Sequence, residues 1–542
     1  MALDLDDPPP PALLTHHCPP ARPGQDRLLE ALAQPRHALV LLACWYALLV
    51  FHGLFAGDLY RNESLRALVA QGMLDSGDWV VPRLYGEPLL TKPPGMYAAI
   101  AAASLPWGGV TPWSARLPSA LAAAATGALF HWIFRRQAGP RAALLAALIL
   151  PACPLWLDRA PSAEIDMLQV FWVSAALLFF LRAVEAEEEA VPDGTNTART
   201  WWFLALLAVA GGFLTKWTAP AFFYATALPL LAWRKRLRLL FRSNHLLAVG
   251  LASAACLAWL GLAARETGWP LLVGTARLEA LSRFLPGEFA PATAPHHPRP
   301  YPWMESLAFP FLFLAAALPW SAFALVGLRS RVRATEKPGE LRLRQLLHCW
   351  VWPNLIFWTL VPGHAARNCL PVVPGLAGLA ALAWERWLSG RAACPLSRVH
   401  VTRVLVVLLL AWVAVKLAFV HVVVPARSQG RDPLAKGRQI ARFVPPDKTL
   451  YLFRFKDEGI LFHYARAALP PHPSRPVRRL AGPGALPSTD EQVYCILSAA
   501  EWRSWKDSRP VHELLQLRDQ QGDPIVLVRL GADHAGDAEP SP

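Results

Sequence analysis

Eleven apolar runs of near-bilayer length punctuate this chain, and they exclude most folds before any motif is read. They lie at about 37–56, 115–134, 141–157, 166–183, 201–214, 217–232, 246–264, 307–328, 346–361, 369–388 and 404–424. A crossing helix needs roughly 20 such residues, because hydrocarbon offers the backbone no water to bond. Composition agrees, with 54% hydrophobic and only 17% charged residues among 542 and a mean hydropathy of +0.29. A soluble chain of that content would aggregate. The expected fold class is therefore an α-helical polytopic membrane protein of about eleven spans, with interfacial helices between them. The run 95–107 is short for a crossing and is expected to be re-entrant or interfacial. The 23 tryptophans suit interfacial anchoring.

Charge sets the orientation. The net charge is +14, which in a soluble protein would suggest nucleic acid. Here it falls in short clusters between spans, at 134–141, 233–238, 329–333 and 385–391, so it reads as topology and no nucleic-acid partner is expected. Cytoplasmic loops carry the excess Lys and Arg. These clusters thus place the N-terminus in the cytoplasm and, after an odd number of spans, the C-terminus outside. Counting 95–107 as a full span would flip every cluster outward.

The domain plan follows. Residues 1–34, rich in Pro and polar residues, are expected to be a disordered cytosolic tail. Residues 35–425 form the membrane domain, with a first outer loop at 57–94. Beyond it, T-L-Y-L-F-R-F (449–455), Q-V-Y-C-I-L-S (492–498) and P-I-V-L-V-R-L (524–530) read as short strands. Stretches near 433–443 and 499–508 read as helices. Residues 426–531 are expected to be a small extracytoplasmic α/β domain, and 532–542 a disordered tail. Eight scattered cysteines show no C-x-x-C pair and no disulfide framework.

The outer loops hold the candidate chemistry. Asp58 and Glu63 open the first loop, in G-D-L-Y-R-N-E-S-L-R. Helical spacing of the apolar residues after Glu63 predicts a helix lying flat on the membrane. Glu63 is either a general base for an acceptor hydroxyl or half of an i,i+3 ion pair with Arg66. Lys92 sits in T-K-P-P-G, where two prolines stiffen the backbone. It is either a phosphate contact or a lysine snorkelling at a helix start. Asp166 enters a span, where an acid is a functional candidate, although the helix dipole alone would account for it. Lys216 and Arg367 are further candidate phosphate contacts, Arg367 through its guanidinium fork. Asn62, Arg66, Tyr85, Glu87, His297, His364 and Asn368 are candidate substrate contacts. The adjacent His296 and His297 lack a carboxylate or Cys to complete a metal site, so no metal or other cofactor is required. One topology gathers Glu63, Lys92, Asp166, Lys216, His297 and Arg367 at the outer surface, and Glu63, Asp166 and Lys92 are expected to share one cavity.

These residues resemble a known family over about 40–390: the ArnT-like and protein O-mannosyltransferase-like membrane glycosyltransferases of GT-C type. The strongest part is M-L-D-S-G-D-W-V-V-P-R-L-Y-G-E-P-L-L-T-K-P-P-G followed by W-S-A-R-L-P-S-A-L. I-D-M-L, G-F-L-T-K, A-L-P-W-S and R-N-C-L-P-V-V-P follow in the family's order. The resemblance implies a transferase in the bilayer, in a bacterial inner membrane, using a polyprenyl-phosphate sugar donor. It would move the sugar, with inversion, to an outer hydroxyl or phosphate on a lipid, glycan or protein. It also implies that Lys92 holds the donor phosphate. The family's first-loop Asp-Glu pair aligns with Asn62-Glu63, so Glu63 or Asp58 must supply the charge. Thr91 and Asn368 are further departures. A transporter of lipid-linked sugars, or an inactive binding scaffold, is the alternative.

Overall fold

The structure, a computed structural model, describes residues 29–189, 197–281, 303–328, 337–362, 365–391, 397–428, 431–467, 474–487, 492–505 and 511–531. Of the expected tails at 1–34 and 532–542, residues 1–28 and 532–542 lie outside the described residues, as do His296, His297 and His364, whereas residues 29–32 are helical and Ala33 is buried, so the first tail is corrected there. Helix occupies every one of the eleven apolar runs. Among the described residues six helices are long and apolar enough to cross a membrane, or seven if a pair bent by 105° (Trp303–Ala316 and Trp320–Val326) is one span. Of the about eleven spans expected, several of them short, six or seven meet that length and composition. Pro35–Phe51, Pro140–Ile149 and Ala219–Trp233 are shorter. Pro338–Leu360 carries Glu340, Arg342 and Arg344 in its first turns, which dilutes its apolar length.

The helix Ile165–Glu188 is the hub, packed between Pro112–Gln137 and Thr197–Thr215. Small residues let helices close up: a Cβ on Gly378 would meet Leu347 Cδ2 at 2.8 Å. Outside the bundle, Leu246, Leu247 and Leu251 of Ser243–Thr267 and Val406, Val407 and Leu410 of Arg398–Ala418 stay exposed. Apolar faces of that size need hydrocarbon around them. Phe55, Trp107 and Trp113 form an aromatic cluster beside the first loop, as an interfacial anchor would.

The first loop is built by turns. Arg61 (φ 50°) starts the helix Asn62–Ser76, and Gly77 (φ 73°) ends it by returning its N–H to Met73 O. Tyr85 and Gly86, both at positive φ, turn the two-residue strands β1 (Arg83–Leu84) and β2 (Glu87–Pro88) into an antiparallel hairpin. The helix Asn62–Ser76 does not present one free face, as a helix lying flat on a membrane would. Gly95–Ser104 covers one side, and a C-terminal helix, Glu458–Ala465, covers another.

That C-terminal segment follows a long helix running from Arg398 through a π-turn at Phe419–Val423 to Ser428. It holds a five-stranded mixed sheet. Its strands are β3 (Leu450–Leu452), β4 (Val477–Arg479), β5 (Val493–Ser498), β6 (Val511–Arg518) and β7 (Pro524–Leu530), in the order β4-β3-β5-β7-β6. β3 runs parallel to β4 and β5, and the β5–β7 and β7–β6 pairs are antiparallel. Helices Pro433–Phe443 and Glu458–Ala465 pack on it.

Candidate functional site

The site begins with a buried arginine. Thr111 and Ser114 close a capping box at the start of Pro112–Gln137, which fixes Arg116 in the helix's second turn. Arg116 donates to Glu63 through Nε (3.0 Å) and Nη2 (3.2 Å). It also donates to the carbonyls of Leu54, Ala56, Gly57 and Asp58 at 2.9–3.2 Å. One side chain thereby pins the whole descent of the chain into the first loop. Glu63 accepts two more bonds, from Ala163 N (2.9 Å) and Tyr60 N (3.1 Å). Burial opposes its charge, but Arg116 and these backbone N–H groups hold its carboxyl below the ordinary range. Glu63 is therefore a structural anion, its lone pairs committed. The expected free general base, and the expected pair with Arg66, are both corrected.

Arg66 instead pairs with Glu164 at 2.8 Å and donates to Asn62 O. Arg159 stands between Asp158 (2.9 Å) and Glu164 (3.5 Å). Asp166 and Lys216 pair with each other at 2.9 Å, both buried. Lys92 Nζ is bound to Glu279 at 2.6 Å and to Thr91 O. As phosphate contacts, Lys92 and Lys216 would share their ammonium groups with these carboxylates.

A cavity of about 410 Å³ opens beside this clamp. Of the expected residues it collects Asp58, Asn62, Glu63 and Arg367. Asp166, Lys216 and Lys92 do not line it, so the expectation of one cavity shared by Glu63, Asp166 and Lys92 is not met. Tyr85 lines a second cavity of about 260 Å³ with Gln71, Asp75 and Arg475, under the guanidinium of Arg479 at 4.8 Å. Glu87 is exposed on β2, and Asn368 is half-buried. Among the described residues no three His, Cys, Asp or Glu side chains stand together as metal ligands.

Reading the sequence missed much of the wall: Arg61, Arg116, Asp158, Arg159, Lys416, Arg427, Arg431 and Gln520. Two had a signal. Arg116 lies inside W-S-A-R-L-P-S-A-L, and Lys416 interrupts the run 404–424 as its sole Lys, Arg, Asp or Glu. Gln520 arrives from the C-terminal segment and had none. Asp457, the N-cap of Glu458–Ala465, accepts from both the backbone N–H and the side-chain amide of Gln520 at 2.8 Å, aiming it at the cavity.

Asp58 differs from the buried acids Glu63 and Glu164 here. Its backbone is pinned by Arg116, yet its side chain is 32% exposed. It contacts His463 Nε2, on Glu458–Ala465, at 3.4 Å. That contact, aided by Arg116, holds the Asp58 carboxyl below its ordinary value despite partial burial. Around the cavity stand seven Lys or Arg side chains and four Asp or Glu. The excess of cations fits an anionic ligand, and Asp58 is the acid placed to meet it.

The comparisons with known proteins agree with this class. A profile of the family described as dolichyl-phosphate-mannose-protein mannosyltransferase matches residues 91–261. The undecaprenyl phosphate-alpha-4-amino-4-deoxy-L-arabinose arabinosyl transferase of Pseudomonas paraeruginosa is 31% identical over 61% of this chain and 58% of its own length. A second such transferase, from Pseudomonas fluorescens, is 30% identical over 63% of this chain and 54% of its own. The chain thus spans less than two thirds of the length of these curated relatives. The crystal structure of ArnT from Cupriavidus metallidurans bound to undecaprenyl phosphate superposes with a TM-score of 0.66 at 19% identity, covering 95% of this chain and 100% of that one. The two share a largely helical fold with apolar helices long enough to cross a membrane. The chain is thus similar in sequence to these arabinosyl transferases and, over residues 91–261, to the mannosyltransferase family.

Proposed function

We propose that this protein is a membrane glycosyltransferase that takes a sugar from a polyprenyl-phosphate donor and passes it to an acceptor oxygen on the extracytoplasmic side. The convergence of seven cations and an accessible carboxylate on one cavity carries the reading. The relatives' names point to undecaprenyl phosphate carrying 4-amino-4-deoxy-L-arabinose as a first donor to test.

The chemistry follows from the charges. The acceptor oxygen attacks the anomeric carbon as the bond from that carbon to the phosphate oxygen breaks. Polyprenyl phosphate leaves with the electron pair, and Asp58 takes the acceptor's proton. Guanidinium and ammonium groups stabilise the charge that develops on the leaving phosphate. Attack opposite the leaving group inverts the anomeric centre. Asn62 cannot accept the proton, and Asp58, four residues earlier, supplies a carboxylate in its place. The basic ends of the helices support the orientation. Arg234 and Arg342 pair with Glu188, and Arg391 pairs with Glu340, at helix ends followed by the Lys- and Arg-rich clusters.

His463 belongs to this site as a positioning residue, since its ring contacts Asp58 Oδ1 and Asp58 lines the cavity. His463→Phe keeps the bulk and removes the donor, and turnover should fall about five- to tenfold at unchanged donor KM, the worth of one hydrogen bond. His463→Gln, which keeps an N–H, should retain most of the rate. Equal losses in both variants would reduce His463 to packing.

The reading is tested in proteoliposomes with undecaprenyl-phosphate-linked aminoarabinose or mannose and a bacterial inner-membrane lipid extract as acceptor. Mass spectrometry should show protein-dependent release of undecaprenyl phosphate and a glycosylated acceptor. Consumption of neither donor would contradict the reading.

A further inference from the structure

We infer that Lys416, on the last long helix, is an anchoring cation for the phosphate of a phosphorylated lipid head group in the cavity. The inference rests on the reading above and adds a residue to it.

Lys416 lies in V-L-L-L-A-W-V-A-V-K-L-A-F-V, deep in an apolar helix. It is 2% exposed and lines the cavity. No ion pair or hydrogen bond of its ammonium group occurs among the described residues. Its charged neighbour, Arg116, is of like sign, and the His52 ring stands just past the end of the first helix. Glu63, the nearby acid, is already spent on Arg116 and two backbone N–H groups. A buried charge without a partner is costly, and ionisable groups at membrane depth are kept where they serve a ligand. Lys416 is therefore a cation awaiting an anion.

The surrounding backbone points the same way. The first helix ends in a π-turn at Ala47–Phe51, and the last helix has one at Phe419–Val423. Single π-turns of this kind recur at functional sites. The turn that follows the first helix touches the last one: a Cβ on Gly53 would lie 2.6 Å from Val420 Cγ2, and one on Gly57 would lie 2.7 Å from Val424 Cγ1. This seam forms the wall that carries Lys416, with Arg367 lining the same cavity. A lipid phosphate entering from the bilayer would meet an ammonium and guanidinium groups in one cavity wall.

Lys416→Met keeps length and removes charge, and Lys416→Arg keeps charge. The full-length protein is titrated in nanodiscs with undecaprenyl phosphate, with undecaprenol, and with inorganic phosphate alone. Wild type should bind undecaprenyl phosphate well above undecaprenol. Lys416→Met should weaken that binding roughly ten- to a hundredfold, the worth of a charge-assisted bond, and Lys416→Arg should recover part of it. Without ligand, Lys416→Met should unfold at the same or a higher temperature than wild type, because an unpaired buried cation is gone. Wild-type preference for inorganic phosphate over the lipid would overturn the lipid head group as occupant. Equal binding by wild type and Lys416→Met would overturn the role of Lys416 alone. Indifference of wild type to the phosphate would sink the glycosyltransferase reading along with it.

Discussion

Arg116→Met should destabilise this protein by about 3–5 kcal/mol, the cost of breaking a buried ion pair from one side. The substitution strands the Glu63 carboxylate and deprives the carbonyls of Leu54, Ala56, Gly57 and Asp58 of a donor at once. The apparent melting temperature in detergent, read by tryptophan fluorescence, should drop by many degrees. The pair Arg116→Met with Glu63→Leu should cost less than the sum of the two single changes, because neither partner is left charged and alone. A melting temperature equal to wild type for Arg116→Met would show that the loop is held by something else. The same clamp sets a pH dependence. Glu63 has a folded pKa below its ordinary value, so its contribution is fully present above that ordinary value. It is lost as pH falls through the depressed pKa. Acidification below about pH 4 should therefore destabilise wild type more steeply than Glu63→Gln, which begins less stable.

Asp58→Asn should lower transfer by about 10²–10⁴, the usual worth of a general base, with donor binding kept within a few-fold. The carboxylate is the exposed acid in contact with His463, and its backbone is fixed by Arg116 rather than by its own side chain. The asparagine variant should thus fold normally. Comparable turnover by Asp58→Asn would move the proton acceptor elsewhere, with Asp158, the other exposed acid on the cavity wall, next in line.

Much of the membrane frame was legible because hydropathy and length are local properties. All eleven apolar runs became helix. The number that fully cross was less legible, since charged first turns and short runs such as Pro140–Ile149 blur what counts as a span. The strands β3, β5 and β7 lie where alternation and β-branched residues pointed. β4 and β6 do not announce themselves: β4 is three residues long, and β6 (V-H-E-L-L-Q-L-R) breaks its alternation at a register shift between Glu513 and Leu515.

The site was harder to read. Glu63 and Lys92 looked like free groups because their partners lie far along the chain, at Arg116 and Ala163 for one and Glu279 for the other. His463 and Gln520 approach the cavity only through the packing of Glu458–Ala465 on the first-loop helix. No spacing rule reports such a contact. Lys416 was legible in principle as a lone lysine in an apolar run.

The central claim is that the lipid phosphate sits in the cavity between Asp58, Arg367 and Lys416. The most direct test is an electron cryo-microscopy structure of the full-length protein in nanodiscs with undecaprenyl phosphate. The account predicts phosphate density within hydrogen-bonding distance of Lys416 and Arg367, with the Lys92–Glu279 pair intact. Phosphate bound to Lys92 after Glu279 has swung away, with the cavity beside Lys416 empty, would contradict it.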